Sequence, residues 1–392
     1  MNAIPRLQQY RGPALLSYGF RPFFFFGACY AALAIALWLP LFQGEIAIAT
    51  HFAPRDWHAH EMLFGYVGAV LTGFLLTAIP NWTGRLPLQG TPLLALVLVW
   101  VVGRFAIAWS AHVGWLLSAA LDCAFLSLVV AAAAREIIAG QNWRNLKVLI
   151  PVSVLALTNI GFHVEAYLRG VAEVSIRAAV GVIVILIMLI GGRIVPSFTR
   201  NWLARENPGR LPVPFGRFDA GSIAFSAAAI CLWTVLPEGA WTGASLLGAA
   251  ALQCVRLARW AGDRTTRERL VLVLHVAYAF VPLGFALTGL SAFSLILPSA
   301  GLHAWMAGAA GTMTLAVMTR ASLGHTGREL TAGVGTQAIY AAAVIAACAR
   351  VGGALMPTWT LAFLHVAALA WVAAFGGFVM LYAPVLFRRS GS

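Results

Sequence analysis

The sequence predicts an all-α, polytopic membrane protein of about twelve transmembrane helices. Three observations carry this reading. Hydrophobic residues make up 61% of the 392 residues and charged residues 10%, with a mean hydropathy of +0.84. A soluble domain usually holds about 25% charge. The apolar residues gather in blocks of roughly 20, the length a helix needs to cross a hydrocarbon core of about 30 Å. The blocks lack the period-2 alternation of barrel strands, and in lipid a chain satisfies its backbone polar groups only as helices or a closed barrel.

In chain order the blocks predict helices over 15–40, 60–80, 91–111, 114–135, 147–168, 176–196, 218–236, 240–259, 270–291, 298–320, 333–352 and 358–384. The short basic start, Met1 to Arg21, does not read as a cleavable signal, because the apolar block after it has full spanning length. Connections are short except 41–59, 197–217 and 260–269. The whole of 1–392 reads as one membrane-embedded bundle. It divides into halves 1–200 and 215–392 by helix count around the basic loop, although no clear sequence repeat is visible.

The net charge of +13 tests this topology. With both termini cytoplasmic, the tails and the loops on their side hold 21 of the 26 Lys and Arg residues. The opposite side holds 4, namely Arg55, Arg169, Arg177 and Arg350, and Arg104 lies within a helix. One missed helix would scramble this alternation, so the positive-inside bias supports both count and orientation. It also accounts for the basic balance without nucleic acid. The five cysteines are scattered singly, with no CxxC or CxxCH, which argues against zinc clusters and covalent haem.

The nine histidines are unevenly placed. His51, His58, His60, His112, His163, His303 and His365 fall toward the outer side, and His275 and His325 toward the inner. Imidazole is the commonest metal ligand. His58 and His60 at the mouth of the second helix, with His163 and His303 from two other helices at the same depth, are therefore metal-ligand candidates. The plainer reading is that each donates a hydrogen bond to a neighbouring helix. In an extended lead-in to the second helix, His58 and His60 point the same way; in a helix they diverge by about 200°. Glu61 could hold a ligating imidazole or pass protons, or simply favour a helix N-terminus. Asn159 shares a face with His163. Arg104 and Asp122 read as an ion pair within one helical hairpin. On the inner side Arg193 and Arg320 could anchor the topology or bind carboxylates such as haem propionates. A haem there would suit His275 with His325. Met306 and Met313 are soft donors, though methionine at helical spacing more often packs.

Several runs resemble the NnrS family of bacterial membrane proteins over nearly the whole chain. They are Gly19-Phe20-Arg21-Pro22-Phe23-Phe24, Trp57 through Gly65, Pro80-Asn81-Trp82-Thr83-Gly84-Arg85, Gly191 through Pro196, and His303 through Gly311-Thr312-Met313-Thr314 to His325-Thr326-Gly327-Arg328. The resemblance implies a twelve-helix protein of the bacterial inner membrane that contains non-covalent haem b and copper. It also implies a link to nitric oxide, nitrosative stress and denitrification. It sets His58, His60, His163, His275, His303 and His325 apart from His51, His112 and His365.

The expected function is therefore a haem–copper membrane protein that binds or reduces nitric oxide or a similar small ligand. A reductase would further need an electron donor outside the chain and proton-handling groups, for which Glu61, Glu165 and Asp122 are candidates, with Glu61 the catalytic one. The rival is a transporter or channel for a small solute or metal. Such sites usually use broken helices near the midplane, whereas the polar residues here cluster toward one end. Beyond its small ligand the expected partners are membrane lipids.

Overall fold

The computed structural model describes residues 10–389; Arg6, counted in the basic tally above, lies outside them. Among the described residues, twelve long helices follow one another: α1 (Phe20–Gln43), α2 (Pro54–Thr83), α3 (Thr91–Ala108), α4 (Trp115–Ala139), α5 (Leu146–Arg169), α6 (Val174–Glu206), α7 (Arg217–Val235), α8 (Ala240–Ala258), α9 (Arg269–Ala292), α10 (299–325), α11 (Val334–Leu355) and α12 (Thr360–Phe387). Ten of these, all but α8 and α10, are long and apolar enough to cross a membrane. Gln253 and Arg256 lower the hydropathy of α8, and glycine, threonine and histidine lower that of α10. The chain is an all-α, multi-pass membrane protein.

Four boundaries differ from expectation by five residues or more, one of them the end of α10, which runs on to His325. α1 begins at Phe20, because residues 14–16 form a separate 3₁₀ turn after Pro13. α2 begins at Pro54, which occupies the first turn, where its missing N–H costs nothing. The segment from Asp56 to His60 is therefore helical rather than extended. α6 continues through Pro196 to Glu206, because its polar end still buries Thr199 and Leu203 on one face.

Three helices contain π segments, at Glu61–Val67 in α2, Ile187–Gly191 in α6 and Ala304–Gly311 in α10. A π segment leaves carbonyls without their usual helical donor. One is answered by Trp100, whose indole Nε1 donates to the Gly65 carbonyl at 2.9 Å.

The helices gather in two compact units. The first comprises the chain up to Ala179, with Ala321–Glu329 and the stretch from Phe375 onward; the second comprises Val180–Arg320 and Leu330–Ala374. In the first unit each helix shows lipid one face and its neighbours the other. On α3, Leu94, Leu98, Val102 and Phe105 are exposed, while Leu93, Leu96, Val97, Trp100 and Arg104 are buried. The stripe that buries Trp100 thus buries Arg104 one turn further on. On α4 the buried stripe runs Ser118, Asp122, Phe125, Val129, and on α5 it runs Leu155, Asn159, Phe162, His163. Away from the helix ends, where Arg135 and Arg169 stay exposed, these helices turn their polar side chains inward, as intramembrane charge requires.

The second unit has its own buried polar centre. Arg256 of α8 donates to the Asp219 carboxylate of α7 at 3.2 Å, to the Tyr278 hydroxyl at 2.7 Å and to the Met188 carbonyl of the α6 π segment at 3.0 Å. Glycines let α9 and α10 close together: Gly308 lies against Phe280, and Gly284 against Trp305, whose indole donates to the Val281 carbonyl at 3.1 Å.

Candidate metal centre

The inward polar residues of α2, α3, α4 and α5 meet in one buried cluster. Asp122 stands at its middle and divides its two oxygens. Oδ1 accepts from Nη2 of Arg104. Oδ2 faces His60 Nε2 at 3.2 Å and His163 Nε2 at 3.0 Å, and accepts from Asn159 Nδ2 at 2.8 Å. Glu61 neighbours it: both of its oxygens lie 2.7 Å from Arg104 Nη1, and it also accepts from the Tyr30 hydroxyl of α1. The His60, Glu61 and Asp122 side chains are fully buried, and those of Arg104 and His163 are nearly so.

Two anions and one guanidinium in a dry interior are costly unless every polar atom is answered. Here nearly all are, and the arrangement fixes the imidazoles. His60 Nδ1 lies 2.7 Å from Glu61 Oε1, which leaves Nε2 pointing toward Asp122 and, at 3.1 Å, toward Asn159 Oδ1. An imidazole held by a carboxylate through one nitrogen, with the other aimed at further donors, is the usual setting of a metal-ligating histidine. Aromatic rings wall the pair: Phe162 lies 5.0 Å and Phe52 5.2 Å from the His60 ring, and the two imidazoles are 5.1 Å apart.

The donor set passes a fit test for one metal ion. His60, Asp122 and His163 each offer a ligand atom, and these atoms lie within 4.8 Å of one another. Tetrahedral bonds of about 2.1 Å place ligand atoms roughly 3.4 Å apart. The observed 3.0 and 3.2 Å therefore need only a few tenths of an ångström of expansion. Two imidazoles and a carboxylate suit copper, zinc or iron. Binding requires a lone pair on each Nε2, so proton and metal compete for these atoms.

Beside the cluster is a cavity of about 210 Å³ lined by Phe52, Ile107, Trp115, Ser118, His163 and Tyr167 among others. Trp115 and Tyr167 stack at 4.0 Å and form part of its wall. Pockets for drug-sized ligands run to about 300–1,000 Å³. A cavity of about 150 Å³ already holds benzene, so this one admits a small molecule but not a macrocycle. His163 alone of the cluster lines it.

The other candidates lie elsewhere. His58 shares the helical turn with His60 but points away and packs on Trp38 at 4.4 Å. That divergence follows from the early start of α2. His303 belongs to the second unit, where Nδ1 lies 2.7 Å from the Ser299 carbonyl of its own helix. His275 meets Thr199 Oγ1 at 2.7 Å. His325 stacks on Tyr18 at 5.7 Å and packs on Phe20. Arg193 is exposed, and Arg320 lies 4.2 Å over the Phe198 ring. Glu165 lies outside the cluster: its carboxylate caps α6 by accepting from the backbone N–H groups of Glu173, Val174 and Ser175. Asn159, on the same face of α5 as His163, joins Asp122 and His60. Tyr30 was missed, since a lone tyrosine in an apolar block carries no sequence signal.

The fold and cluster together define a polytopic helical membrane protein with a buried histidine–carboxylate group able to hold a metal. The family comparison agrees with that class. The model of the NnrS protein family matches residues 14–390, and the chain belongs to this family. No match is found among curated proteins.

Proposed function

We propose that this chain is a metalloprotein of the bacterial inner membrane, acting in nitric oxide metabolism or in resistance to nitrosative stress. The observation that carries the reading is the continuity between cluster and cavity: the same imidazole that faces Asp122 also lines a chamber with ample room for a diatomic molecule. Family membership supplies the link to nitric oxide.

In this reading His60, His163 and Asp122 hold copper. A bound copper ion would supply a redox-active binding point for nitric oxide. The protein's own residues do the rest. Glu61 holds His60 through Nδ1 and so sets which nitrogen faces the metal. Arg104 neutralises Glu61 and the distal oxygen of Asp122, so that the site carries little net charge and admits a neutral ligand. Phe52 and Phe162 pack on the His60 ring and keep bulk water from it. Turnover would need electrons from a donor outside the chain.

The resemblance also implies haem b. The small cavity leaves His163 to the metal, so a haem would draw on His275, His303 or His325, with Arg193 and Arg320 available to propionates.

The test is metal and haem analysis of the purified full chain, with nitric oxide binding followed optically. The reading requires copper near one per chain and its loss in His60→Ala and His163→Ala. Full copper retention in a His60→Ala, Asp122→Asn, His163→Ala triple variant overturns the assignment. Normal nitric oxide consumption by metal-free protein removes the metal from the function, and failure of the metal-loaded chain to bind nitric oxide overturns the function itself.

A further inference from the structure

The chamber beside the cluster offers more than a diatomic ligand uses. Its volume of about 210 Å³ exceeds the roughly 150 Å³ that holds a benzene ring. Phe52, Trp115 and Tyr167 give its wall aromatic surface, and Ile107 adds an aliphatic side. Flat rings pack on such surfaces in offset or edge-on contacts. By volume and lining the chamber fits one six-membered aromatic ring with a small substituent.

The same wall carries a fixed polar group. His163 engages Asp122 Oδ2 through Nε2 at 3.0 Å. A carboxylate oxygen only accepts, so the proton of the neutral imidazole sits on Nε2 and Nδ1 carries a lone pair. Among the described residues Nδ1 has no hydrogen-bond partner, and it is not sealed off by protein atoms. Because His163 lines the chamber, Nδ1 is the nitrogen left for a molecule inside it. That nitrogen calls for a donor. With Nε2 given to a metal, the proton would reside on Nδ1 instead and call for an acceptor. A hydroxyl serves both states, since its O–H donates and its lone pairs accept. Ser118 lies on the same lining and is 1% exposed. Its hydroxyl donates to the Gly114 carbonyl at 2.8 Å and keeps its lone pairs for a second donor.

The chamber has a pinned side and a looser one. Residues 49–52 are tied to the turn after α3: Ala111 N donates to the Ala49 carbonyl at 2.8 Å, and His51 N to Ser110 Oγ at 2.8 Å. Trp115 opens α4 and Tyr167 lies in the last turn of α5. They stack on one another, and among the described residues neither the indole N–H nor the phenol hydroxyl has a hydrogen-bond partner. Tyr167 is exposed, as are Leu116, Leu117 and Leu168 beside the pair. Exposed leucines on a multi-pass membrane protein face lipid, and Trp and Tyr at helix ends mark the headgroup level. The looser wall therefore adjoins the bilayer.

We propose that the chamber binds the ring of a small hydroxyarene, a phenol or the head group of a lipid-soluble quinol, which enters between the ends of α4 and α5. The hydroxyl meets His163 Nδ1, the ring packs on the aromatic wall, and Ser118 is the acceptor available to a second hydroxyl. The apolar entrance favours the lipid form. A quinol is also an electron donor of the kind that the proposed function requires. That consequence rests on the proposed function, whereas binding of the ring does not, because it needs no metal.

Isothermal titration calorimetry on the purified full chain, before and after chelator treatment, tests this with phenol, hydroquinone and benzene. Phenol and hydroquinone should bind saturably in both forms. Benzene, which has the ring without the hydroxyl, should bind about tenfold more weakly, the effect of one hydrogen bond. His163→Leu should bring phenol down to the level of benzene and leave benzene unchanged. Because His163 also belongs to the cluster, Ala166→Phe gives an independent variant. It fills the chamber from a half-buried wall position and should abolish binding of all three. In lipid nanodiscs an alkyl-tailed hydroquinone separates the sources. Binding at least as tight as that of hydroquinone identifies the head group of a lipid quinol; hydroquinone binding without it identifies a free hydroxyarene. The proposal fails if phenol shows no saturable binding to the chelator-treated chain, if benzene matches phenol, or if Ala166→Phe binds as the wild type does. None of these results bears on copper retention, and loss of the copper assignment leaves the titrations unchanged.

Discussion

Asp122→Asn tests the centre most directly. The carboxylate takes four contacts: Arg104 on Oδ1, and His60, His163 and Asn159 on Oδ2 at 3.2, 3.0 and 2.8 Å. Hydrogen bonds to charged groups contribute about 1.5–3 kcal/mol each, which gives a gross value of roughly 6–12 kcal/mol. Desolvation of the ions offsets much of this, and removing one partner of a buried pair costs about 3–5 kcal/mol net. The amide is nearly isosteric, so packing changes little and the loss is electrostatic. One of its two positions also becomes an NH₂ group, which cannot accept from Arg104 or Asn159. The expected outcome is a destabilisation of about 3–5 kcal/mol, measured by reversible unfolding in mixed micelles, with loss of bound metal. Arg104→Met should cost a similar amount. The double variant should cost less than the sum by about 1.5–3 kcal/mol, because the two side chains touch. A single-variant loss under about 1 kcal/mol, or strict additivity of the two, would refute the account of a coupled buried cluster.

Other outcomes follow from the same geometry. Gly65→Ala places a Cβ 2.8 Å from Arg104 Nη1 and 3.0 Å from the Tyr30 ring; it should destabilise the chain by about 1–3 kcal/mol and lower metal content, read by unfolding and elemental analysis. Glu61→Gln frees Nδ1 of His60 from its carboxylate and should weaken metal binding about 10–100-fold in a chelator competition. His58→Ala removes a ring that packs on Trp38 outside the cluster; metal content should stay at the wild-type level, and a loss would return His58 to the ligand set. Arg210, between α6 and α7, binds Asp263 in the connection after α8 at 2.5 and 2.6 Å and holds its carboxyl below the usual range. A lowered folded-state value stabilises above the ordinary carboxylate range, and this contribution disappears as pH falls through the lowered one. Protease cleavage of that connection should therefore accelerate only in acid, and Asp263→Asn should remove the dependence.

The helices were legible because their signal is one-dimensional: a block of apolar residues and the charges that flank it. The early start of α2 was not, since Pro54 and Arg55-Asp56 look like a loop until Pro54 is seen in the first turn. That difference changed the site. His58 and His60 on an extended segment would face one way, and on a helix only His60 turns inward. The Arg104–Asp122 pair was readable from two charges in adjacent helices. Its union with His60, Glu61, Asn159 and His163 was not, because four helices must pack before those side chains share a point. The π segments were hidden for a related reason. Period 3.6 is assumed when a helix is read from sequence, and one extra residue per turn changes which side chains share a face without altering composition.

The placement of Arg104 and Asp122 on consecutive helices bears on biogenesis. A lone Arg or Asp at the centre of a helix costs about 2.5–3.5 kcal/mol when the translocon releases it into lipid. α3 and α4 are joined by a turn that includes Ser110–Val113. The two charges therefore leave the ribosome within 18 residues of each other and can neutralise one another as a hairpin before α5 is made. Glu61, synthesised earlier on α2, meets its counter-ion only when Arg104 arrives. Order of synthesis thus demands that α2 be retained beside the insertion channel until α3 is complete. A chain cut between α2 and α3 would strand an acidic helix that the quality-control proteases of the membrane should recognise.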